Sequence, residues 1–343
     1  MFTRFFDALR SRPDAHFTGL PTAAADVNSG RVPHDPILPH PAAMLEQWRQ
    51  DVARAAILLR DRYAAATDPH VRTQAERLLL RLSFDHAMVV RQPPPAAQDA
   101  LAVAGNPECE LSHLVQIIER DPTLTRGLMR HASSAMFAAA GAPASIDDAT
   151  RRLGAKGVQI AVLAGMAEGL MARGGGPYSP LAEQVWAAMV RVGPLTRALA
   201  RAVAVPAHEA FLLGLLHDIG TLVLYDLLDT LRTEIGHGAE LPAAFVADAV
   251  RELHEPLGGL TLLCWGIDPR AAWAVAHHHR RQPPADPDRR SELIFLAQHL
   301  DAALIAGETP PVEQWFTEGQ LTVSYERVAV GVARVCATQV TVQ

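Results

Sequence analysis

Phe211-Leu-Leu-Gly-Leu-Leu-His217-Asp218-Ile-Gly220 is the stretch that decides how this chain folds. Eight of its ten residues are apolar or glycine, which marks a segment bound for a helical interior. Within it, adjacent His217 and Asp218 offer an imidazole nitrogen and a carboxylate oxygen to one metal or metal pair. That donor set suits zinc, iron, manganese or nickel and differs from a thiolate site. Further imidazoles follow downstream: His254 in Glu252-Leu-His-Glu-Pro-Leu-Gly258, then the run His277-His278-His279. The order His-Asp, His, His-His matches sites where two metals activate a hydroxide for phosphoester attack. The plainer alternatives stand beside it. Asp218 can fix a histidine tautomer between helices, and His254 can be a helix-end side chain beside Glu255-Pro256. Helix geometry cannot aim all three consecutive histidines inward.

The flanking sequence is helical in pattern. Residues 1–42 are rich in Pro, His, Ala and Asp without a sustained period and read as an arm or linker. From Met44 the apolar residues Leu45, Trp48, Val52, Ala55, Ala56 and Leu59 recur at i, i+3, i+4 spacing. A second stripe runs from Val71 through Leu78, Leu79 and Leu82, with Asp68-Pro69 as stop and restart. Residues 43–88 are therefore a helical hairpin whose stripe must cover the next domain or a second subunit. Beyond Pro93-Pro94-Pro95, Asp121-Pro122 signals a capped helix start, Ser145-Ile-Asp-Asp148 a capping box, and Gly154 the end of that helix. Gly174-Gly175-Gly176 reads as a hinge or loop, and Gln320 to Tyr325 carries a weak strand pattern. Trp265 and Trp273 read as core. Arg280-Arg281 and Arg289-Arg290 read as solvated loop charges.

Composition narrows the function classes. The chain of 343 residues is 49% hydrophobic and 20% charged, too apolar for a largely disordered protein. A net charge of −6, with scattered arginines and Lys156 as the single lysine, gives no footprint for nucleic acid. Cys109, Cys264 and Cys336 are far apart and form no C-x-x-C pair, so they read as reduced thiols. The start lacks the apolar core of a signal peptide. The longest apolar candidate for membrane insertion, from Gly157 toward Met171, is broken by Glu168. A cytoplasmic protein without membrane insertion is expected.

Residues 89–305 resemble the HDOD family, a helical signalling module related to the HD and HD-GYP metal-dependent phosphohydrolases. Six segments match in order. They are Asp121-Pro122 with Leu124, Leu128 through Ala135, Ile146 to Gly154, "AFLLGLLHDIG", "ELHEPLGGLTLLCWGIDP" and "AVAHHH". The departures are as informative. The resemblance places an early metal-binding His of the catalytic relatives near Ala188, in a helix with no histidine and with Pro194 expected to kink it. The late Asp would fall near Gln298, with Asp301 one turn on, and the Gly-Tyr-Pro segment is absent.

The resemblance implies an all-α protein with an HD-like domain in two lobes, 89–174 and 178–305, and a helical N-terminal extension. Residues 306–343 would pack on the body. It implies no catalytic residue and a remnant metal site of His217, Asp218, His254, His278 and His279, with His277 a packing residue. One divalent transition metal is the candidate cofactor. The implied function is non-catalytic signalling, with a signalling protein or cyclic dinucleotide bound in trans. The rival is a metal-dependent phosphohydrolase acting on a nucleotide or cyclic dinucleotide. The stripe from Met44 to Val90 offers a route to a homodimer.

Overall fold

The computed structural model describes residues 38–340, apart from 67, 85–89, 107, 134–141, 172–175, 235–240 and 280–287. The proposed arm up to residue 37, most of the glycine run and Arg280-Arg281 therefore lie outside the described residues. Fourteen helices and no strand occur among those described. They are α1 (Pro41–Tyr63), α2 (Pro69–Phe84), α3 (Pro95–Gly105), α4 (Leu111–Glu119), α5 (Pro122–Ala132), α6 (Ile146–Met171) and α7 (Ser179–Val203). There follow α8 (Ala207–Leu216), α9 (Ile219–Glu234), α10 (Ala243–Cys264), α11 (Pro269–Ala276), α12 (Arg289–Ala306), α13 (Val312–Gly319) and α14 (Tyr325–Val340).

The local signals account for most boundaries. Asp121 accepts from the backbone N–H groups of Thr123 and Leu124, which α5 would otherwise leave unbonded. Ser145 Oγ accepts from Asp148 N–H at 3.0 Å, while the Asp148 carboxylate reaches back to Ala144 N–H. Gly154 ends the capped helix as its sequence suggests. Its φ of 62° and ψ of 175° are non-helical, and a second helical stretch follows across a kink, so α6 is two helical segments joined there. Pro194 lies inside an unbroken α7, and Pro256 inside α10. Each proline removes one N–H, and the surrounding core holds the helix through it. Gln320 to Tyr325 forms no strand. Gln320 takes a left-handed conformation and Tyr325 opens α14.

Packing is organised around two long helices. α7 lies against α8, α12 and α14, and α10 lies against α9, α11 and α1. The α1 stripe is consumed within the chain. Met44, Trp48, Val52, Ala55, Ala56 and Leu59 are all buried, with α10 as the main partner. Each large side chain so buried contributes roughly 1.5–3 kcal/mol. That face is consequently covered by the body of the protein.

Among the described residues, the helical stretch that meets the length and hydropathy of a membrane span is Ala207–Glu234, the segment of α8 and α9 that contains the His–Asp pair, and not the run toward Met171. It is long and apolar enough to cross a membrane, but 83% of its most apolar window is buried inside the protein. Arg290 is no solvated loop charge either. It is 8% exposed and donates from Nε to Glu209 of α8. Glu292, fully buried on α12, accepts from Thr322 N–H, Thr322 Oγ and Val323 N–H, and so fastens the segment between α13 and α14 to the body.

Candidate metal centre

Glycine lets the ligand-bearing helices approach. His217 caps α8, Asp218 follows it, and α9 begins at Ile219. At Gly220 an added Cβ would lie 1.9 Å from the His254 carbonyl oxygen and 2.6 Å from the Gly258 nitrogen. Only a residue without a side chain brings the start of α9 onto the backbone of α10 there. Gly214 meets Thr196 and the Gly193 backbone of α7 in the same way.

Three histidines present a uniform geometry. His217 Nδ1 donates to the Gly214 carbonyl at 2.8 Å, His254 Nδ1 to Val250 at 2.7 Å, and His278 Nδ1 to Val275 at 2.6 Å. A carbonyl oxygen can only accept, so each Nδ1 carries hydrogen and each neutral ring keeps its lone pair on Nε2. This orientation by the second nitrogen is the outer-shell arrangement of metal-binding imidazoles. The Nε2 atoms of His254 and His278 are buried and have no hydrogen-bond partner. Leaving such atoms unsatisfied is unfavourable, and a metal ion would satisfy both.

Asp218, His254, His278 and His279 each bring one donor atom into a group whose members all lie within 4.8 Å of one another. That is wider than the roughly 3.4 Å between donors of a tetrahedral zinc shell with bonds of about 2.0–2.1 Å. The residues therefore fit one ion after modest contraction. His217 stands outside the four. Its Nε2 faces Asp218 Oδ2 at 3.3 Å, and its ring centroid lies 5.6 Å from that of His278. Of the five residues expected from the sequence, four converge and His217 serves as their neighbour through Asp218. His277 packs against Trp273, with ring centroids 4.2 Å apart.

The electrostatics of the group are strongly coupled. Burial pushes the Asp218 carboxyl up, but His217 and His278 outweigh it and hold Asp218 well below the usual carboxylate range. His254 is pushed down by burial and by the neighbouring His278. Burial also depresses His278, yet the Asp218 and Glu255 carboxylates reverse the sign and its pKa lies above the ordinary imidazole value.

Two contributors escaped the sequence reading. Glu255 accepts from His279 N–H at 3.0 Å and lies 3.9 Å from His278 Nδ1, so it orients the turn that carries both ligands. Its adjacency to His254 was the available signal. Tyr225 lies near enough for the Asp218 charge to add to burial in raising its pKa. Asp301 is no substitute ligand. It is held by Arg191 of α7 in a bidentate pair at 3.0 and 3.2 Å.

The HDOD domain model matches residues 90–281. An uncharacterized protein of Treponema pallidum (strain Nichols) is 23% identical over 248 residues, or 70% of this chain, which spans only 47% of that relative's length. Among solved structures, a Shewanella amazonensis SB2B protein provisionally named a phosphohydrolase superposes with a TM-score of 0.55 at 18% identity. The match covers 75% of this chain and 94% of that one. An HDOD domain protein of unknown function from Geobacter sulfurreducens gives 0.53 at 17% identity, covering 74% and 91%. A Marinobacter aquaeolei VT8 protein provisionally named a signal transduction protein gives 0.51 at 19%, covering 81% and 66%. At these identities the likeness is one of fold.

Proposed function

Because the chain belongs to the HDOD family, we propose that it is a non-catalytic signalling module that acts through a signalling protein or cyclic dinucleotide bound in trans. On this reading its histidine cluster is a closed, single-metal site. The observation that carries the reading is the burial of two of the imidazole donors. His254 and His278 are 3% and 0% exposed and their Nε2 atoms, aimed into the cluster, are without solvent contact, while Asp218 and His279 are half-buried.

The donor count agrees. A catalytic zinc keeps three protein ligands and one open position, whereas four protein ligands make the closed shell of a structural site. Asp218, His254, His278 and His279 would supply those four. A bound divalent ion would otherwise act as a Lewis acid toward a water or phosphoryl oxygen. Hydrolysis by two ions also needs ligands for the second. The family resemblance puts the early histidine of the catalytic relatives near Ala188, in a helix without histidine, and Asp301 is engaged by Arg191.

Metal analysis of protein purified without a histidine tag, combined with phosphodiesterase assays under added Mn²⁺ or Fe²⁺, tests the proposal. The expected result is at most one transition metal per chain, lost in a His217→Ala, Asp218→Ala double variant, and no turnover. Turnover of a nucleotide or cyclic dinucleotide that disappears in the double variant would establish the hydrolase instead.

A further inference from the structure

The N-terminal hairpin lies outside the matched HDOD region, yet it is seated directly behind the histidine cluster. Trp48 of α1 is 2% exposed. Its ring edge occupies the space over Gly259 of α10, where an added Cβ would lie 3.0 Å from two Trp48 ring carbons and 2.8 Å from Ala276 Cβ. Three elements thus converge on Gly259 with no room for a methyl group. One is α1, one is the helix that carries His254, and one is the last turn of α11 before His277-His278-His279.

The contact continues into the ligand turn. Trp48 and Trp273 have ring centroids 6.3 Å apart, and Trp273 lies 4.2 Å from His277, whose Nδ1 donates to the Trp273 carbonyl at 2.9 Å. His277 is pushed down by burial, while Glu255 and Asp51 act in the opposite direction. Asp51 is one helical turn from Trp48, so α1 reaches this turn through the Trp48–Trp273 contact and through the charge that Asp51 exerts on His277. The same hairpin is tied to α10 at its far end, where Tyr63 OH donates to Asp248 at 3.0 Å.

We infer that Trp48 is a positioning residue for the metal-binding turn, so that docking of α1 and metal affinity at Asp218, His254, His278 and His279 are coupled. The physical route is short. Removing the Trp48 ring leaves a void against Gly259 and Ala276. α11 then relaxes into the void, and His278 and His279 move with it. Coupling of this kind is reciprocal, so a metal that fixes the turn also tightens α1. Outer-shell supports of metal ligands are typically worth ten- to a hundredfold in affinity.

The inference rests on the cluster accepting a metal ion, and the experiment separates the two. Zn²⁺ affinity is measured by chelator competition on tag-free full-length protein, and hydrogen exchange across α1 is followed with and without Zn²⁺. The wild type should bind Zn²⁺ with slowed exchange at residues 48–59. Trp48→Ala should weaken binding at least about tenfold, and Trp48→Phe should restore most of it. The exchange measurement needs no variant, so it stands even if Trp48→Ala does not fold. Zn²⁺ binding with unchanged α1 exchange, or with Trp48→Ala affinity equal to wild type, would overturn the coupling and leave the metal site in place. A wild type that binds no Zn²⁺ would remove the single-metal reading and the inference with it.

Discussion

Gly220→Ala is the sharpest perturbation the packing offers. A Cβ at this position meets the His254 carbonyl oxygen at 1.9 Å, the Gly258 nitrogen at 2.6 Å and the His254 carbonyl carbon at 2.9 Å. All three are backbone atoms, so no rotamer change relieves the clash. Real Cβ contacts essentially never fall below 3.0 Å, so α9 and α10 must separate by about 1 Å or more. Overpacking of this kind costs about 1–3 kcal/mol, and the backbone nature of the obstacle argues for the upper end. The added methyl recovers at most about 1 kcal/mol through helix propensity. The separation also draws Asp218 away from His254, widening a donor group already looser than a metal shell. Guanidinium denaturation should therefore report a loss of about 2 kcal/mol or more. Zn²⁺ affinity should fall in parallel. Gly127→Ala in α5 is the matched control, since nothing lies within 4 Å of its added Cβ, and it should stabilise by about 0.5–1 kcal/mol. A Gly220→Ala protein with wild-type stability and affinity would refute the close-approach argument.

Glu292→Ala removes the acceptor for three donors at Thr322 and Val323 from a fully buried site, and should cost about 2–4 kcal/mol. Hydrogen exchange at those two amides should accelerate before the rest of the chain responds. Arg191→Met strands the Asp301 carboxylate and should destabilise by about 1–3 kcal/mol, whereas Arg191→Met with Asp301→Leu should lie near wild type. Denaturation of the four cycle members measures it, and an additive double variant would show that the pair does not interact. Burial, with the nearby Arg130 guanidinium, lowers His131 from 6.5 to about 4. The unfolded chain therefore takes up a proton there first, and the stability this group contributes is complete above pH 6.5 and lost as pH falls toward 4. His131→Gln should flatten that part of a stability–pH curve, and an unchanged slope would contradict it.

What the sequence disclosed follows from how local each signal is. Capping at Asp121 and Ser145 involves residues two to four apart, so the pattern alone carries it. The apolar stripe of α1 likewise follows from helical periodicity. The ligand set was legible as chemistry, because His-Asp, His and His-His are rare enough to stand out in order. Their convergence was not legible, since it depends on how close the backbones come. Gly214, Gly220 and Gly259 each mark a contact between segments remote in sequence. Arg290 failed for the same reason. Beside Arg289 and after a proline-rich loop it reads as solvated, and only the fold reveals Glu209 as its partner. Gly154 was legible as a helix end from the residue itself, since its left-handed φ is a local preference of glycine.

The packing that assembles the cluster also bears on what the cluster does. Helices brought together over Gly214, Gly220 and Gly259 leave no slack between their backbones. The imidazoles in that contact have their Nδ1 atoms fixed to carbonyls of their own helices and their Nε2 atoms facing inward. On the proposed reading, imidazoles oriented in this way would close on a single ion, with the contraction that the spacing of the donors requires. An open coordination position would have to be made by withdrawing one donor. Glu255 holds the His279 backbone N–H, and the turn at His277-His278-His279 is the one that α1 reaches through Trp48 and Trp273. On the proposed reading that connection needs no chemistry: occupancy of the site would be converted into the seating of α1, which a partner in trans would read.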